Sequence, residues 1–321
     1  LSKFWYTKAF WWLRQSWVRK WIRWSKTRSF IGFQGIPVFD ILVFLNNERK
    51  RDDIIMRTNA ISFDLFLALF PALIFIVAIF STVPVLTFED FMSQLSDNIL
   101  PSTARNFLMQ TFVDLSSIPR GSLLSVGVLF ALVFSSNGMM SLMDGFEKSY
   151  ASTFRSRSYW KKRIVALELT FILILLLLVS SSLIIASNLL LENLFDRLNL
   201  DRLSRFLLVA FKWIFAFSLL YLLIAIIYRY GPATHKRFHF FSPGTNLATL
   251  GSFLTSLGFS FFVNNFGTYN KIYGSIGAII VMMIYIQINV FILLAGFELN
   301  TAIAVNRDIR KLEEEKANPL I

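Results

Sequence analysis

Four carboxylates, Asp64, Asp144, Glu168 and Glu298, stand within or at the ends of long apolar stretches of this 321-residue sequence. An ionised group at the centre of a membrane span costs about 2.5–3.5 kcal/mol, so each must pair, face water or serve a purpose. Asp64 has the fewest exits. Its flanks are apolar, and Arg57 lies two helical turns back on nearly the same face. Glu168 has Lys161 and Arg163 within reach, while Asp144 and Glu298 read as interfacial flanks. Amides add to the set: Gln287 and Asn289 midway along the last apolar stretch, and Asn137 in the run Ser135-Ser136-Asn137-Gly138. Gln287 and Asn289 are separated by about 200° of helical rotation, so only one of them faces any given cavity, and the other is expected to bond to a neighbouring helix or its own. Asp64, Asn137, Glu168 and Gln287 are thus candidates for a substrate or ion path, with Arg57, Asp144 and Glu298 as a polar inner mouth.

Hydrolytic chemistry finds little to work with. A nuclease needs metal ligands or an acid/base pair in a wet site. The two histidines, His235 and His239, sit in the run THKRFHFF, read as an outside loop; their spacing suits a metal only on a helix, and no Glu lies between them as in HExxH. No P-loop or GxSxG elbow is present. With no cysteine in the chain, thiolate zinc sites, iron–sulfur clusters, disulfides and cysteine nucleophiles are excluded together. The expectation is a protein that is not an enzyme and holds no metal or cofactor.

The elements that must position these residues are transmembrane helices. The chain is 55% hydrophobic and 16% charged, against about 25% charged for a soluble domain. Six stretches approach or exceed the ~20 residues needed to cross a bilayer: Ile61 to Val83, Ser122 to Met143, Ile164 to Ser187, Phe206 to Tyr228, Gly244 to Val263 and Ser275 to Phe297. Pro71 removes one backbone donor from the first and predicts a kink there. The fifth carries Gly244, Ala248, Ser252, Ser256 and Ser260 at intervals of four, a small-residue stripe for close packing, either within the chain or against a second copy in a homo-oligomer. The expected fold is an all-α membrane protein, a six-transmembrane-helix bundle.

The net charge of +12 is distributed to match. With the N-terminus inside, 25 Lys and Arg fall on the cytoplasmic side and 6 outside, so both termini are placed in the cytoplasm. Residues 1–56 form a segment rich in Trp, Lys and Arg. Trp5, Trp11, Trp12, Trp17, Trp21 and Trp24 alternate with basic residues, a pattern that suits an amphipathic segment lying among anionic lipid headgroups. Such interleaving also stacks on single-stranded bases, but in this context membrane lipids are the expected partner and nucleic acid is not. Between the first two spans, Pro84 to Gly121 reads as two short amphipathic helices broken at Pro101. The polar turn after the fifth span, with Asn264, Asn265, Tyr269, Asn270 and Tyr273, is a candidate outer vestibule, and residues 307–321 form a charged cytoplasmic tail.

Four stretches in this order resemble the YihY/BrkB family of bacterial inner-membrane proteins, once labelled ribonuclease BN-like. They are RTNAISFDLFLALFPALIF from Arg57, FSSNGMMSLMDGFEKSY from Phe134, the long FFSPGTNLATLGSFLTSLGFSFFVNNFGTYNKIYGSIGAII from Phe240, and LLAGFELN from Leu293. The Trp-rich extension stands outside the common pattern, and a Trp is expected near the position of Tyr285. The resemblance implies a six-helix membrane domain over 57–306, an envelope role in the bacterial inner membrane, and a function in moving lipids or other amphiphiles; the nuclease label is regarded as a misassignment. Three spans either side of the third loop give halves of opposite topology, as in inverted-repeat transporters. The expected function is a non-ATP-driven transporter or exporter of a lipid-like or other amphipathic molecule; the alternative is a non-transporting scaffold for envelope proteins.

Overall fold

A computed structural model of the chain describes residues 16–51, 53–80, 122–198, 202–264 and 267–317. Eight α-helices account for most of them: α1 (Ser16–Thr27), α2 (Val38–Arg51), α3 (Ile54–Phe80), α4 (Ser122–Gly145), α5 (Tyr159–Leu198), α6 (Arg202–Tyr230), α7 (Pro243–Asn264) and α8 (Gly267–Ala317). Among the described residues, extended pairing is confined to one isolated bridge, Phe154 with Thr234. Among the described residues, four ranges are long and apolar enough to cross a membrane: Ile54–Ala72, Tyr159–Ser180, Trp213–Tyr230 and Ile279–Ala317. α4 and α7, at 24 and 22 residues, reach the ~20-residue requirement by length. The segment from Pro84 to Gly121, read as two amphipathic helices, lies outside the described residues, as do Trp5, Trp11, Trp12 and Asn265.

The six long helices neighbour one another in chain order and the last returns to the first: α3 packs on α4, α4 on α5, α5 on α6, α6 on α7, α7 on α8, and α8 on α3. This closes a ring. α2 packs across α8 at one end, and α1 packs on α2. That end, where α3 starts and α8 leaves the apolar zone, is the base of the ring. Phe297 is fully buried among Phe146, Phe154 and Phe238, with ring centroids at 4.5, 6.2 and 6.2 Å. Tyr228, also buried, donates its hydroxyl to the Leu293 carbonyl at 2.6 Å.

Local chemistry sets the helix starts. The Asp53 carboxylate accepts the N–H groups of Ile55 and Met56 at 3.0 and 3.2 Å, capping α3 a turn and more before the apolar run begins. Ser242 caps α7 through the Thr245 N–H at 3.2 Å, with Pro243 in the first turn, where its missing donor costs nothing. α3 continues through Pro71. The polar turn expected before the last span is largely helical: α8 begins at Gly267, so Tyr269, Asn270 and Tyr273 stand on its first turns, while Asn264 ends α7.

Gly244 and Gly296 permit the tightest crossing. A Cβ on Gly244 would stand 2.0 Å from the Gly296 carbonyl oxygen, and one on Gly296 would stand 2.5 Å from the Tyr228 hydroxyl. The small-residue stripe of α7 therefore meets α8, with Ala248 and Ser252 buried against it. Gly138 does the same for α4 and α3, since a Cβ there would press on Leu65 at 2.8 Å and Ala68 at 3.0 Å.

Candidate functional site

The base of the ring holds a cluster of opposite charges that are almost wholly out of water. Glu298 of α8 accepts Arg57 of α3 at 2.6 Å and Lys148, just after α4, at 2.7 Å. Lys148 also reaches Glu48 of α2 at 2.9 Å, and the Tyr150 hydroxyl donates to the second Glu48 oxygen at 2.5 Å. Arg57 donates further to the Gly145 carbonyl at 3.0 Å. The Lys148 and Glu298 side chains are 3% and 9% exposed, so the ions are desolvated and their attraction is weakly screened. Among the described residues, two carboxylates and two cations make up the cluster. It ties α2, α3, the α4–α5 connection and α8 into one ionic clasp.

Burial pushes the Glu48 carboxyl up, but the Tyr150 hydroxyl and the Lys148 ammonium outweigh it and hold the group below its ordinary 4.5. Burial, reinforced by the Glu48 carboxylate, pushes Tyr150 from 10.0 to about 12. Both groups are thus fixed in the protonation states the clasp needs, a neutral phenol donating to an anion. Among the described residues, the buried Glu298 Oε2 has no hydrogen-bond partner.

The expected inner mouth is partly assembled and partly not. Arg57 and Glu298 meet, but Asp144 points outward and pairs with Lys162 of α5, which also holds Glu147 at 2.5 Å. Glu298 is no interfacial flank: it is buried, because α2 covers the helix face that the sequence alone leaves open to water. Arg57 does not serve Asp64, which instead accepts the Ser141 hydroxyl of α4. Its guanidinium is drawn away by the two-point contact with Glu298 and Gly145.

Asp64, Asn137 and Gln287 make separate interhelical bonds rather than sharing one partner. Asn137 accepts from Arg163 of α5 at 2.7 Å, and the same guanidinium reaches the Val133 carbonyl at 2.6 Å. Arg163 is thereby unavailable to Glu168, which is exposed on α5. Gln287 donates to Asn59 of α3 at 2.6 Å, while Asn289 turns back to the Tyr285 carbonyl of its own helix at 2.9 Å. Asn59 and Gln287 are both exposed.

The histidine loop belongs at the base, not on the opposite side as the sequence reading had it. The Phe154–Thr234 bridge, with Arg155 N–H donating to Ala233 at 2.8 Å and His235 N–H to Thr153 at 2.9 Å, joins it to the α4–α5 connection. Two helices, α5 and α6, separate the segments, so an even number of traverses returns the chain to the same end. His235 faces the Ala151 carbonyl at 3.3 Å. Among the described residues, no three His, Cys, Asp or Glu side chains gather as a metal site.

Glu48, Lys148, Tyr150, Asn59 and Ser141 were not singled out as candidates. Glu48 lies in a charged run, NNERKR, that reads as a solvated face; Lys148 and Tyr150 lie in FEKSY, one of the stretches that carried the family resemblance. That stretch held the available signal.

A family model described as Virulence factor BrkB matches residues 47–320. Among similar curated proteins, a putative ribonuclease-like protein, YfkH, of Bacillus subtilis is 27% identical over 259 residues, covering 81% of this chain and 92% of its own. A UPF0761 membrane protein of Xanthomonas campestris is 24% identical over 266 residues, covering 80% of this chain, which spans 59% of that longer relative. A counterpart in Xanthomonas axonopodis matches at the same identity and coverage. No solved structure matches the chain significantly.

Proposed function

This chain belongs to the BrkB virulence-factor family, and we propose that it is a six-span bacterial inner-membrane transporter, not driven by ATP, that moves a lipid-like amphiphile, with the ionic clasp as its inner gate. The base of the ring is then cytoplasmic, as the excess of Lys and Arg in the connections at that end suggests. The single observation that carries the reading is a buried set of charges joining four segments across one end of a helix ring. Such a set costs more to desolvate than a hydrophobic replacement of the same volume, so plain stability is a poor reason to keep it. A gate is a better one, because the same ions hold one packing and can exchange partners in another. The polar pair Asn59–Gln287 and the bonded Asp64 and Asn137 are the path residues in this reading.

The N-terminal segment anchors the base to anionic headgroups. Trp21 and Trp24 are exposed beside Lys20, Arg23 and Lys26, and the groove between α1 and α2 offers about 580 Å³ lined by Trp, Phe and aliphatic side chains. The scaffold alternative draws on the filled aromatic core at the base, where Phe146 and Phe297 are wholly buried.

The test is reconstitution in liposomes carrying headgroup-labelled phospholipids, with transfer between leaflets followed by chemical quenching of the outer label. The wild type is expected to accelerate transfer over empty liposomes, and Glu298→Gln to change that rate while the protein stays folded. No acceleration with any of a neutral, an acidic and an amino-headgroup lipid would put the scaffold reading in front.

A further inference from the structure

Beside the clasp, and separate from it, the base of the ring carries a pocket of about 200 Å³ between the loop before α2, the α6–α7 loop and α8. Its polar wall is formed by Arg237, His239, Arg307, Gln34 and Asn300, and none of the residues lining it is acidic. Drug-sized ligands occupy roughly 300–1,000 Å³, so this volume suits a group no larger than a headgroup. Arg307 is ion-paired through its Nε with Asp308 at 2.8 Å, so the uncompensated charge in the wall is that of Arg237; the two guanidinium forks together match phosphate oxygens.

The backbone around the pocket is built at some cost. Gln34 has φ of 54°, in the left-handed region that a side chain with a Cβ seldom adopts. Its amide oxygen accepts Arg307 at 3.0 Å, which holds that guanidinium at the pocket wall. Gly32, at φ 91°, lies so close that a Cβ would meet the Pro243 ring at 3.0 Å. The first N–H groups of α7 are already capped by Ser242 and Asn300, so the attraction for an anion comes from the arginines rather than the helix end.

One rim of the pocket opens toward lipid. Phe241 is 83% exposed and stacks on Tyr221, and below it α7 presents Leu247, Leu250 and Leu254 in an exposed row. In a membrane protein that row faces acyl chains. We propose that the pocket holds a phosphate-bearing headgroup, with Arg237 and Arg307 on the phosphate and the lipid tails lying along Leu247, Leu250 and Leu254. The site is independent of whether the protein moves its lipid, because it lies outside the clasp and the interhelical bonds assigned to the path.

The experiment is native mass spectrometry of the full chain released from detergent, titrated with phosphatidylglycerol or phosphatidylcholine, with and without millimolar inorganic phosphate. Arg237→Gln is the primary variant, since Arg237 is exposed and rests only on the Tyr230 ring, so folding should be kept. Arg307→Lys is the second, retaining charge while losing the fork. The wild type is expected to retain one phosphatidylglycerol in preference to phosphatidylcholine, and Arg237→Gln to weaken that retention about tenfold. A triple Gln variant of Lys20, Arg23 and Lys26 should leave this one lipid in place. If inorganic phosphate occupies the site and displaces the lipid, the anion pocket stands and its ligand is the free ion. Equal retention of both lipids, or retention untouched by Arg237→Gln and Arg307→Lys, would overturn the proposal.

Discussion

Glu298 faces two cations from within a nearly dry cluster, so its loss should be felt more than the loss of the whole set. Glu298→Gln removes a carboxylate that both Arg57 and Lys148 contact, and keeps the Glu48 ion pair to Lys148. Breaking a buried pair on one side costs about 3–5 kcal/mol, whereas apolar replacement of both partners is often close to neutral. Thermal melts in detergent are therefore expected to show Lys148→Met and Glu298→Gln losing less together than the sum of their separate losses; additive losses would show that the ions act independently. The clasp also has a pH window. Glu48 titrates below its ordinary 4.5 in the folded protein, so its contribution is present above that value and lost as pH falls through the folded value. Tyr150 titrates at about 12 instead of 10.0, so its contribution is present below 10.0 and lost as pH rises toward about 12. Melting temperature should hold between these limits and fall outside them, and Tyr150→Phe should remove the alkaline limb contributed by this residue. Of these residues, Arg57 and Glu298 were legible in the sequence as ionisable groups at span ends. Their pairing was not, because Asp64 is nearer to Arg57 along the chain, and only the tertiary arrangement brings Glu298 closer.

Between α7 and α8 the limiting contact is backbone to backbone. Gly244→Ala would set a methyl 2.0 Å from the Gly296 oxygen, and since no side chain can rotate aside, the helices must separate. Overpacking of this kind costs about 1–3 kcal/mol, and here it also strains the Asn300 bonds to Gly244 and Ser242, both 2.9 Å. Gly244→Ala is expected to lower the melting temperature clearly, while Gly258→Ala, with nothing within 4 Å, should leave it unchanged. The stripe of Gly244, Ala248 and Ser252 announced this interface in advance, because small residues at intervals of four share one helix face. Helix ends were less legible. α3 starts at Ile54 and α8 runs on to Ala317, both beyond the apolar limits, because capping by Asp53 and packing against α2 extend helices past the point where hydropathy stops. α2 itself escaped notice: Val38–Arg51 mixes apolar and charged residues too evenly to read as a buried element, yet Ile41 is 2% exposed.

For the whole molecule, the testable matter is which connections share a side. The chain has no cysteine, so each introduced one is a unique label. Ser149→Cys, His235→Cys and Lys316→Cys should react with a membrane-impermeant maleimide from one side of sealed vesicles and Asn265→Cys from the other; labelling of His235→Cys with Asn265→Cys would break the six-span arrangement. The alternation of spans already implied the side of the histidine loop, and the bridge between Phe154 and Thr234 makes it concrete.

α8 carries 51 residues in one helix, about 76 Å at 1.5 Å per residue, more than twice the ~30 Å of hydrocarbon. Along its basal half stand Glu298 in the clasp, Asn300 at the start of α7, Ile303 against α2 and Arg307 beside Gln34. A rod of this kind acts as a lever arm. Pivoting it by about 5° within the bilayer would swing a point some 55 Å farther along by about 5 Å, so a small adjustment among lipid-facing side chains would reach the far end of the helix magnified, along a part with no joint to absorb it.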